Sequence, residues 1–482
     1  MLFSSFLTLL VFSTFTSPTV NKTDSDNMMS KSSKIVDSIL LNRLGMLVLS
    51  FVLMLFMNSM SMMTLMPGFT MLNSWFNVTS YNLPLMMLLL LLMMGLLMNN
   101  TNFSLKNNEW RLLSPYLILL MMGNSIGLLL FPLVNDLLAL YMMMELQSYS
   151  LYLLTGLHNR SYNASRASLL YFLMGGVASA IILLATYFIY SLTGSTNLSD
   201  MSMFYSLSSN NNTYTYFDML LMALLFKMGL APLHRWSIAV YNYAPTYMTA
   251  YMSMVAKMSM SSWMFTNAMF FNYNLFIMFF YLSLFMGSYK PLYQINIKTM
   301  LAYSGLLNFG YMMLSIMTFD MSFYMYMMQY TLTHLMLFLS MLAASQYMSK
   351  PMSMWSPLMY MHQLKLPNLT LAMCMMLALF SLMGMPPLPG FYAKLYILMS
   401  ALEDNYMFES LMLMMSSVMA TYYYANMMKV LMTSRTMKDN MSQSNFYINL
   451  SLAYVIATAT MLLISFFMFL PFISEGLYLI TI

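Results

Sequence analysis

The sequence predicts an all-α polytopic membrane protein, and three features of its composition carry that prediction. Of its 482 residues, 60% are hydrophobic and only 7% are charged, whereas soluble domains carry about a quarter charged residues. Apolar runs of about 20 residues, the length that crosses a bilayer as a helix, recur along nearly the whole chain. These runs are continuous rather than alternating, which excludes a membrane β-barrel.

The apolar runs predict about fourteen membrane-spanning helices. Between them we expect polar loops, among them residues 21–34 and 201–216. The aromatic residues, 16% of the chain, are expected mainly in lipid-facing and interfacial packing. The predicted spans are 2–19, 41–66, 83–98, 113–131, 134–155, 166–193, 217–234, 240–266, 269–289, 299–318, 321–348, 368–399, 406–428 and 447–472.

The distribution of charged residues over the loops tests the predicted number of spans. The loops after odd-numbered spans hold 16 of the 19 Lys and Arg residues, and those after even-numbered spans hold acidic residues only. The positive-inside bias therefore predicts that the basic loops face the matrix-like or cytoplasmic compartment, with both termini on the opposite side. The 16 basic residues are Lys22, Lys31, Lys34, Arg43, Lys106, Arg111, Arg160, Arg166, Arg235, Lys290, Lys298, Lys350, Lys365, Lys429, Arg435 and Lys438.

The composition also bears on cofactors and on the compartment. The single cysteine, Cys374, excludes a disulfide framework and a cysteine-bound cluster within this chain. The four histidines are scattered, so we expect no bound metal or redox centre. The 69 methionines favour translation from an AT-rich organellar genome over selection of methionine for packing, because they are spread over every span.

Four ionisable residues lie inside predicted spans: Glu145, Lys227, Lys257 and Lys394. An ionisable side chain inside a bilayer costs a few kcal/mol on insertion scales, about +2.5 to +3.5 for Lys or Asp, so its default interpretation is functional. These four residues are therefore the candidate functional set.

Two of the predicted spans carry helix-breaking residues next to a lysine. Gly229 and Pro232 follow Lys227 in the seventh span, and a run of prolines with Gly390 precedes Lys394 in the twelfth. Five spans separate the two breaks, so equivalent helices would run in opposite directions, as in inverted-repeat transporters. We therefore expect four parts: helices 1–3 with polar loops (1–112), a first five-helix repeat (113–266), a second (269–428), and a C-terminal loop with helix 14 (429–482).

These residues suit proton handling. A buried lysine tends to lose its proton, whereas a nearby carboxylate holds the proton on, so a Lys227–Glu145 pair would form a switch. Lys257 and Lys394 would carry the charge sideways through water and nearby hydroxyls, and His234 at the basic-loop end would load the path. The hydroxyls of this route are those of Ser253, Ser259 and Tyr392. The alternatives are a purely structural Lys–Glu pair, a Lys394 that snorkels to an interface, and a His234 that only caps or packs.

Four sequence motifs carry a family resemblance. They are MELQSYSLYLL (144–154), LFKMGLAPLHRW (225–236), KTMLAYSGLLNFGYMML (298–314) and GMPPLPGFYAKLYILMS (384–400). In this order they resemble the antiporter-like membrane subunits of respiratory complex I, the proton-pumping NADH:ubiquinone oxidoreductase. The resemblance implies the helix-5 glutamate at Glu145 and the helix-7, helix-8 and helix-12 lysines at Lys227, Lys257 and Lys394. Two positions depart from the family: Leu170 replaces a helix-6 lysine, and Asn308 replaces a helix-10 histidine.

The resemblance implies a proton-translocating subunit of the mitochondrial inner membrane that works without a cofactor of its own. FMN, iron–sulfur clusters, NADH and ubiquinone would bind elsewhere in the assembly. The implied partners are other membrane-arm subunits, including sister antiporter-like subunits, and membrane lipids, with no nucleic acid. Two alternatives remain open at this point: a freestanding cation/proton antiporter subunit and a structural spacer that no longer moves protons.

Overall fold

A computed structural model describes residues 1–15, 27–63, 68–98, 116–157, 162–207, 212–345, 368–433 and 450–481. Within these residues the chain is almost entirely helical, with one small hairpin. The elements are α1 (Leu2–Phe15), α2 (Asn27–Met63), β1 (Phe69–Met71), β2 (Phe76–Val78), α3 (Asn82–Met98), α4 (Tyr116–Leu130), α5 (Leu137–Gly156), α6 (Tyr162–Thr193), α7 (Leu198–Leu207), α8 (Asn212–Met228), α9 (Arg235–Tyr243), α10 (Thr246–Tyr251), α11 (Lys257–Thr266), α12 (Tyr273–Tyr289), α13 (Ile297–Thr318), α14 (Ser322–Ser345), α15 (Leu369–Met383), α16 (Pro389–Glu403), α17 (Met407–Met432) and α18 (Leu450–Thr481).

The predicted all-α polytopic membrane fold is confirmed. Among the described residues, a helix lies at each of the fourteen predicted positions, and eight helices are long and apolar enough to cross a membrane. Both predicted breaks are present, at 229–234 between α8 and α9 and at 384–388 between α15 and α16. The helices α13 and α14 lie at the centre of the bundle, whereas α6 and α18 leave most of their surface outside it.

Three predicted boundaries are wrong. Residues 201–216 are not a loop, because α7 and the start of α8 occupy most of this stretch, and the Asn197 side chain caps α7 by accepting from Ser199 N at 3.0 Å. Residues 27–34 are likewise helical and belong to α2, which continues without interruption to Met63. The eighth span does not begin at residue 240, because α9 ends at Tyr243 before Pro245, which has no N–H to continue the helix.

Hydrogen bonds at one end of the bundle involve the acidic residues. Asp136 caps α5 by accepting from Leu138 N at 2.8 Å, and it also accepts from Thr196 Oγ1 at 2.7 Å. Asp218 at the start of α8 accepts from Asn272 at the start of α12. These contacts join helix ends that the charge sorting placed on the acidic side.

At the start of α6, the Arg166 guanidinium lies 4.8 Å from the Tyr243 ring at the end of α9, so these two helix ends also meet. The basic residues Lys22, Lys106, Arg111, Arg160, Lys350, Lys365, Arg435 and Lys438 and the histidines His158 and His362 lie outside the described residues.

Candidate functional site: an intramembrane line of amines

The first break positions Lys227 at the C-terminal end of a half-helix. The helix α8 ends at Met228, and Gly229 takes a left-handed backbone conformation with φ of 71°. Carbonyl groups freed by the break are used by α9: Trp236 Nε1 donates to Phe226 O at 3.1 Å, and Ser237 Oγ donates to Gly229 O at 3.3 Å. These hydrogen bonds fix the geometry of the break, which holds Lys227 one residue before the end of α8.

Lys227 and Glu145 form the predicted ion pair. The Lys227 Nζ lies 3.1 Å from Glu145 Oε1, and the two side chains are only 4% and 11% exposed. The second carboxylate oxygen of Glu145 accepts a long hydrogen bond, 3.4 Å, from Ser148 Oγ. Glu145 borders the outer face of α5, where Tyr149 is exposed. A charge pair this buried is stable only while both partners stay close.

Lys257 lies next to an irregular turn of its helix. The residues Met252–Ala256 form a π-helical turn that ends immediately before it. No carboxylate among the described residues pairs with Lys257; its ammonium lies 5.2 Å from the ring of Tyr241 and 4.9 Å from that of Phe309. The predicted hydroxyl partner Ser259 instead accepts from Gln147 Nε2 at 3.0 Å, which ties the Lys257 helix to the Glu145 helix.

A small cavity of about 20 Å³ is lined by both Lys227 and Lys257. Its walls include Tyr171, Trp236 and Tyr241, and the first two of these rings stack at 5.5 Å. A single water needs roughly 10–15 Å³ of such volume. The cavity therefore has room for one water beside the two lysines.

A second cavity, of about 10 Å³, adjoins Lys257 and brings in two residues that the sequence did not assign to the site. His334 is buried on α14; its Nδ1 faces Tyr330 O at 3.0 Å, and its Nε2 has no partner among the described residues. Lys298 was counted with the loop cations, yet it is only 3% exposed and its Nζ donates to Ala244 O at 2.8 Å. Its burial by a neighbouring helix is a tertiary effect that no local pattern signals.

The second break holds Lys394 differently. The helix α15 ends at Met383, Gly384 takes a φ of 91°, and Lys394 reaches back from α16 to donate to Leu382 O at 2.8 Å and Met383 O at 3.1 Å. The amine thus binds carbonyls that the end of a helix leaves without partners. Gly390 packs so closely on α15 that a Cβ there would meet Ser381 O.

The remaining predicted residues are placed as follows. His234 is buried in the first break, where its Nδ1 lies 3.2 Å from Pro232 O and its ring lies 6.0 Å from that of Tyr303. Tyr392, expected near the lateral route, turns its ring towards Phe467 of α18. The structure thus brings Lys227 and Lys257 to one cavity, with Glu145 paired to Lys227 and with His234 and Lys394 in the two breaks.

The expectation that aromatic residues mainly face lipid is wrong for the centre of the bundle. The largest fully buried side chains include Tyr311, Tyr326, Tyr423 and Tyr424, which come together from α13, α14 and α17. Tyrosine combines an apolar ring with a polar hydroxyl, so the sequence alone does not show whether a given tyrosine faces lipid or the core. Within the described part of the chain, no group of three or more His, Cys, Asp or Glu residues is arranged to hold a metal ion.

Fold and site together define a polytopic membrane protein with two discontinuous helices and a buried Lys–Glu pair. Residues 134–421 match the family described as NADH:quinone oxidoreductase/Mrp antiporter, transmembrane. The chain is 61% identical to NADH-ubiquinone oxidoreductase chain 2 of Debaryomyces hansenii over the full length of both proteins. It is 48% identical to the protein of the same name from Candida albicans, over 92% of each chain.

A chain of respiratory complex I from Thermus thermophilus has the same fold. The TM-score is 0.74 at 22% identity, over 93% of this chain and 97% of that one. The present chain belongs to the family of antiporter-like membrane subunits of NADH-ubiquinone oxidoreductase.

Proposed function

We propose that this chain translocates protons through a relay of buried amines whose first element is the Lys227–Glu145 pair. The main support for this proposal is the 3.1 Å contact between the Lys227 ammonium and the Glu145 carboxylate, which are both almost fully buried. With Glu145 close, the charged amine is stabilised; with Glu145 drawn away, desolvation favours release of the proton. Because Glu145 borders the outer face of α5, a neighbouring subunit is well placed to move it.

The proton released by Lys227 passes sideways in this proposal. The water-sized cavity beside Lys227 and Lys257 supports the first transfer, and the adjoining cavity with His334 and Lys298 offers a store or a branch. Lys394 in the second break is the terminal amine, and His234 loads the path from the basic-loop end. Within the described part of the chain Lys257 has no carboxylate partner, which suits an intermediate carrier, because such an amine binds a proton only transiently.

The two breaks support an internal repeat. We propose that residues 113–266 and 269–428 are inverted five-helix units, with 1–112 and 429–482 as flanking parts. In each unit a half-helix ends in a left-handed glycine, Gly229 or Gly384, and a lysine lies at that end. Transporters of this kind place their ion sites at such helix ends near the bilayer midplane.

The chain works, in this proposal, as a subunit of complex I in the mitochondrial inner membrane. Its basic loops would face the matrix and both termini the intermembrane space, as the charge sorting predicts. Sister antiporter-like subunits and other membrane-arm subunits would contact it, with lipids on the remaining surface. FMN, iron–sulfur clusters, NADH and ubiquinone would bind in other subunits, and electron transfer there would drive the movement of Glu145.

Replacing Lys227 with Met in the assembled complex tests the relay. We expect normal assembly on native gels and a loss of proton pumping and coupled NADH oxidation of about a hundredfold, as for a positioned acid–base group. Lys429→Met is the matched control, since Lys429 is exposed near the end of α17. Pumping is measured as the pH gradient formed by NADH in sealed membrane vesicles.

Two measurements separate the alternatives. Unchanged pumping in Lys227→Met would make the chain a structural spacer. Sodium-dependent transport by the chain alone in liposomes would favour a freestanding antiporter, for which the 61% identity to a chain of NADH-ubiquinone oxidoreductase gives no support.

A further inference from the structure

We propose that a buried cluster of tyrosines around Asn308 holds water and carries protons between Lys257 and Lys394, in place of the missing helix-10 histidine. This inference rests on the proposed function and identifies the groups that carry the proton from Lys257 to Lys394. The polar cluster is defined as Ser304, Asn308, Tyr311, Tyr326, Tyr423 and Tyr424, each of them at most 2% exposed.

The polar cluster lies along one face of α13. Ser304, Asn308 and Tyr311 follow one another at intervals of four and three residues, so they share a face that rises about 10 Å at 1.5 Å per residue. The ring of Phe309, the neighbour of Asn308, lies 4.9 Å from Lys257 Nζ. The ring of Tyr311 lies 5.6 Å from Lys394 Nζ. The segment of α13 around Asn308 therefore contacts both lysines.

The helix α14 adds hydroxyl groups on the same route. Tyr330 lines the cavity beside Lys257 and donates to Ser253 O at 2.9 Å. One turn away, Tyr326 donates to Asn308 Oδ1 at 3.1 Å, and its ring stacks on that of Tyr311 at 5.2 Å. Hydroxyl groups thus continue from the Lys257 cavity into the polar cluster.

Three polar atoms in the polar cluster lack a partner among the described residues: Asn308 Nδ2, Tyr423 OH and Tyr424 OH. They come from α13 and α17 and lie close together, because the Tyr424 hydroxyl is near the side chains of Ser304, Asn308 and Tyr423. Buried polar atoms in proteins are nearly always hydrogen-bonded to protein or to ordered water. A buried water needs several polar partners, and these neighbouring groups supply them.

Asn308 itself cannot exchange a proton at neutral pH, whereas water and hydroxyl groups can pass one along a hydrogen-bonded chain. A proton leaving Lys257 would bind the water held by Asn308, Tyr423 and Tyr424. The water would release another proton towards Tyr311 and Lys394, so no net charge remains in the polar cluster. Each tyrosine donates and accepts at its oxygen, which conserves protons at every step.

The double variant Tyr423→Phe/Tyr424→Phe in the assembled complex tests this route. We expect unchanged assembly and a drop in proton pumping of about tenfold, smaller than the loss of a titratable group. Tyr422→Phe is the matched control, because Tyr422 is the adjacent residue on α17 and is exposed. If the hydroxyls were only structural, removing atoms that lack partners would leave pumping unchanged or improve stability.

A rescue experiment distinguishes a proton path from a packing effect. Adding Asn308→His to the double phenylalanine variant places an imidazole, which accepts and donates protons, at the same point, and pumping should recover. Failure of the histidine to restore pumping would overturn the water route.

Lys227→Met and Lys394→Met serve as reference variants. Loss of pumping in both, with normal pumping in the double phenylalanine variant, would remove the polar cluster and leave the amine relay standing. Normal pumping in Lys227→Met would overturn the relay and the polar cluster together.

Discussion

Both breaks in the bundle bury a lysine beside the end of a half-helix, but the two lysines have different partners. In both, a half-helix ends in a left-handed glycine, and an ammonium lies beside the end of that helix. Lys227 pairs with a carboxylate from α5 at 3.1 Å, whereas Lys394 binds two backbone carbonyls of α15. A carboxylate on another helix can move away or be protonated, but the carbonyls of the same hairpin cannot.

This difference assigns different roles to the two breaks. The pair at the first break depends on the position of α5, so a movement there changes the charge balance around Lys227. The second break fixes its amine within one helical hairpin, whose geometry is set by close backbone packing at Gly390. The first break is therefore suited to start a transfer and the second to receive one.

The largest expected effect is steric and concerns the second break. In Gly390→Ala the new Cβ would collide with the backbone oxygen of Ser381, so the hairpin must open. We expect almost no assembled chain on native gels. Gly229→Ala should be milder, since its Cβ would meet the Ser237 side chain at 2.5 Å, although φ of 71° also strains an alanine.

Gly176→Ala is the control for both variants, because nothing lies within 4 Å of a Cβ at that position of α6. Assembly of Gly390→Ala at the level of Gly176→Ala would show that the second hairpin is not fixed as described. The contrast between the breaks would then lose its physical basis.

A stability cycle measures the pairing directly. Lys227→Met leaves Glu145 buried without its cation, and breaking a buried pair costs about 3–5 kcal/mol when one partner remains. The double variant Lys227→Met/Glu145→Gln should regain most of this loss, because no charge stays unpaired. The readout is the temperature at which the subunit dissociates from the detergent-solubilised complex.

Lys394→Met provides the comparison, since it strands two carbonyls but no charge. We expect a cost of about 1–3 kcal/mol, that of a buried group left without a partner. Equal losses for Lys227→Met and Lys394→Met, with no recovery in the double variant, would contradict a carboxylate-dependent first break.

The charged half of the site could be predicted from the sequence because charge inside an apolar run is rare. Glu145, Lys227 and Lys394 are visible for that reason, and Gly229 and the prolines mark the breaks by their backbone chemistry. The sequence predicts that a buried Lys227 needs a carboxylate partner, and the structure shows its contact with Glu145.

The rest of the site could not be predicted in this way. Lys298 lies at a helix start, where only the approach of Ala244 from another helix makes it a buried amine. Tyr423 and Tyr424 stand beside the exposed Tyr422 in one run of three tyrosines, so composition cannot tell which of them faces the core. Burial of polar neutral residues depends on how helices rotate against each other, which local sequence does not encode.

The smallest expected effect concerns the hydroxyl groups beside the two breaks. Ser148 donates to Glu145 Oε2 at 3.4 Å, a long contact to the movable carboxylate, whereas Ser381 accepts from Gly390 N at 3.2 Å within the fixed hairpin. We expect Ser148→Ala to change the rate of proton pumping by less than about fivefold, the equivalent of a hydrogen bond of at most about 1 kcal/mol. Ser381→Ala should leave the pumping rate unchanged and lower only the dissociation temperature. The opposite pattern, with pumping sensitive to Ser381 and not to Ser148, would place the switch at the second break, because only the hydroxyl that touches the moving group should affect its movement.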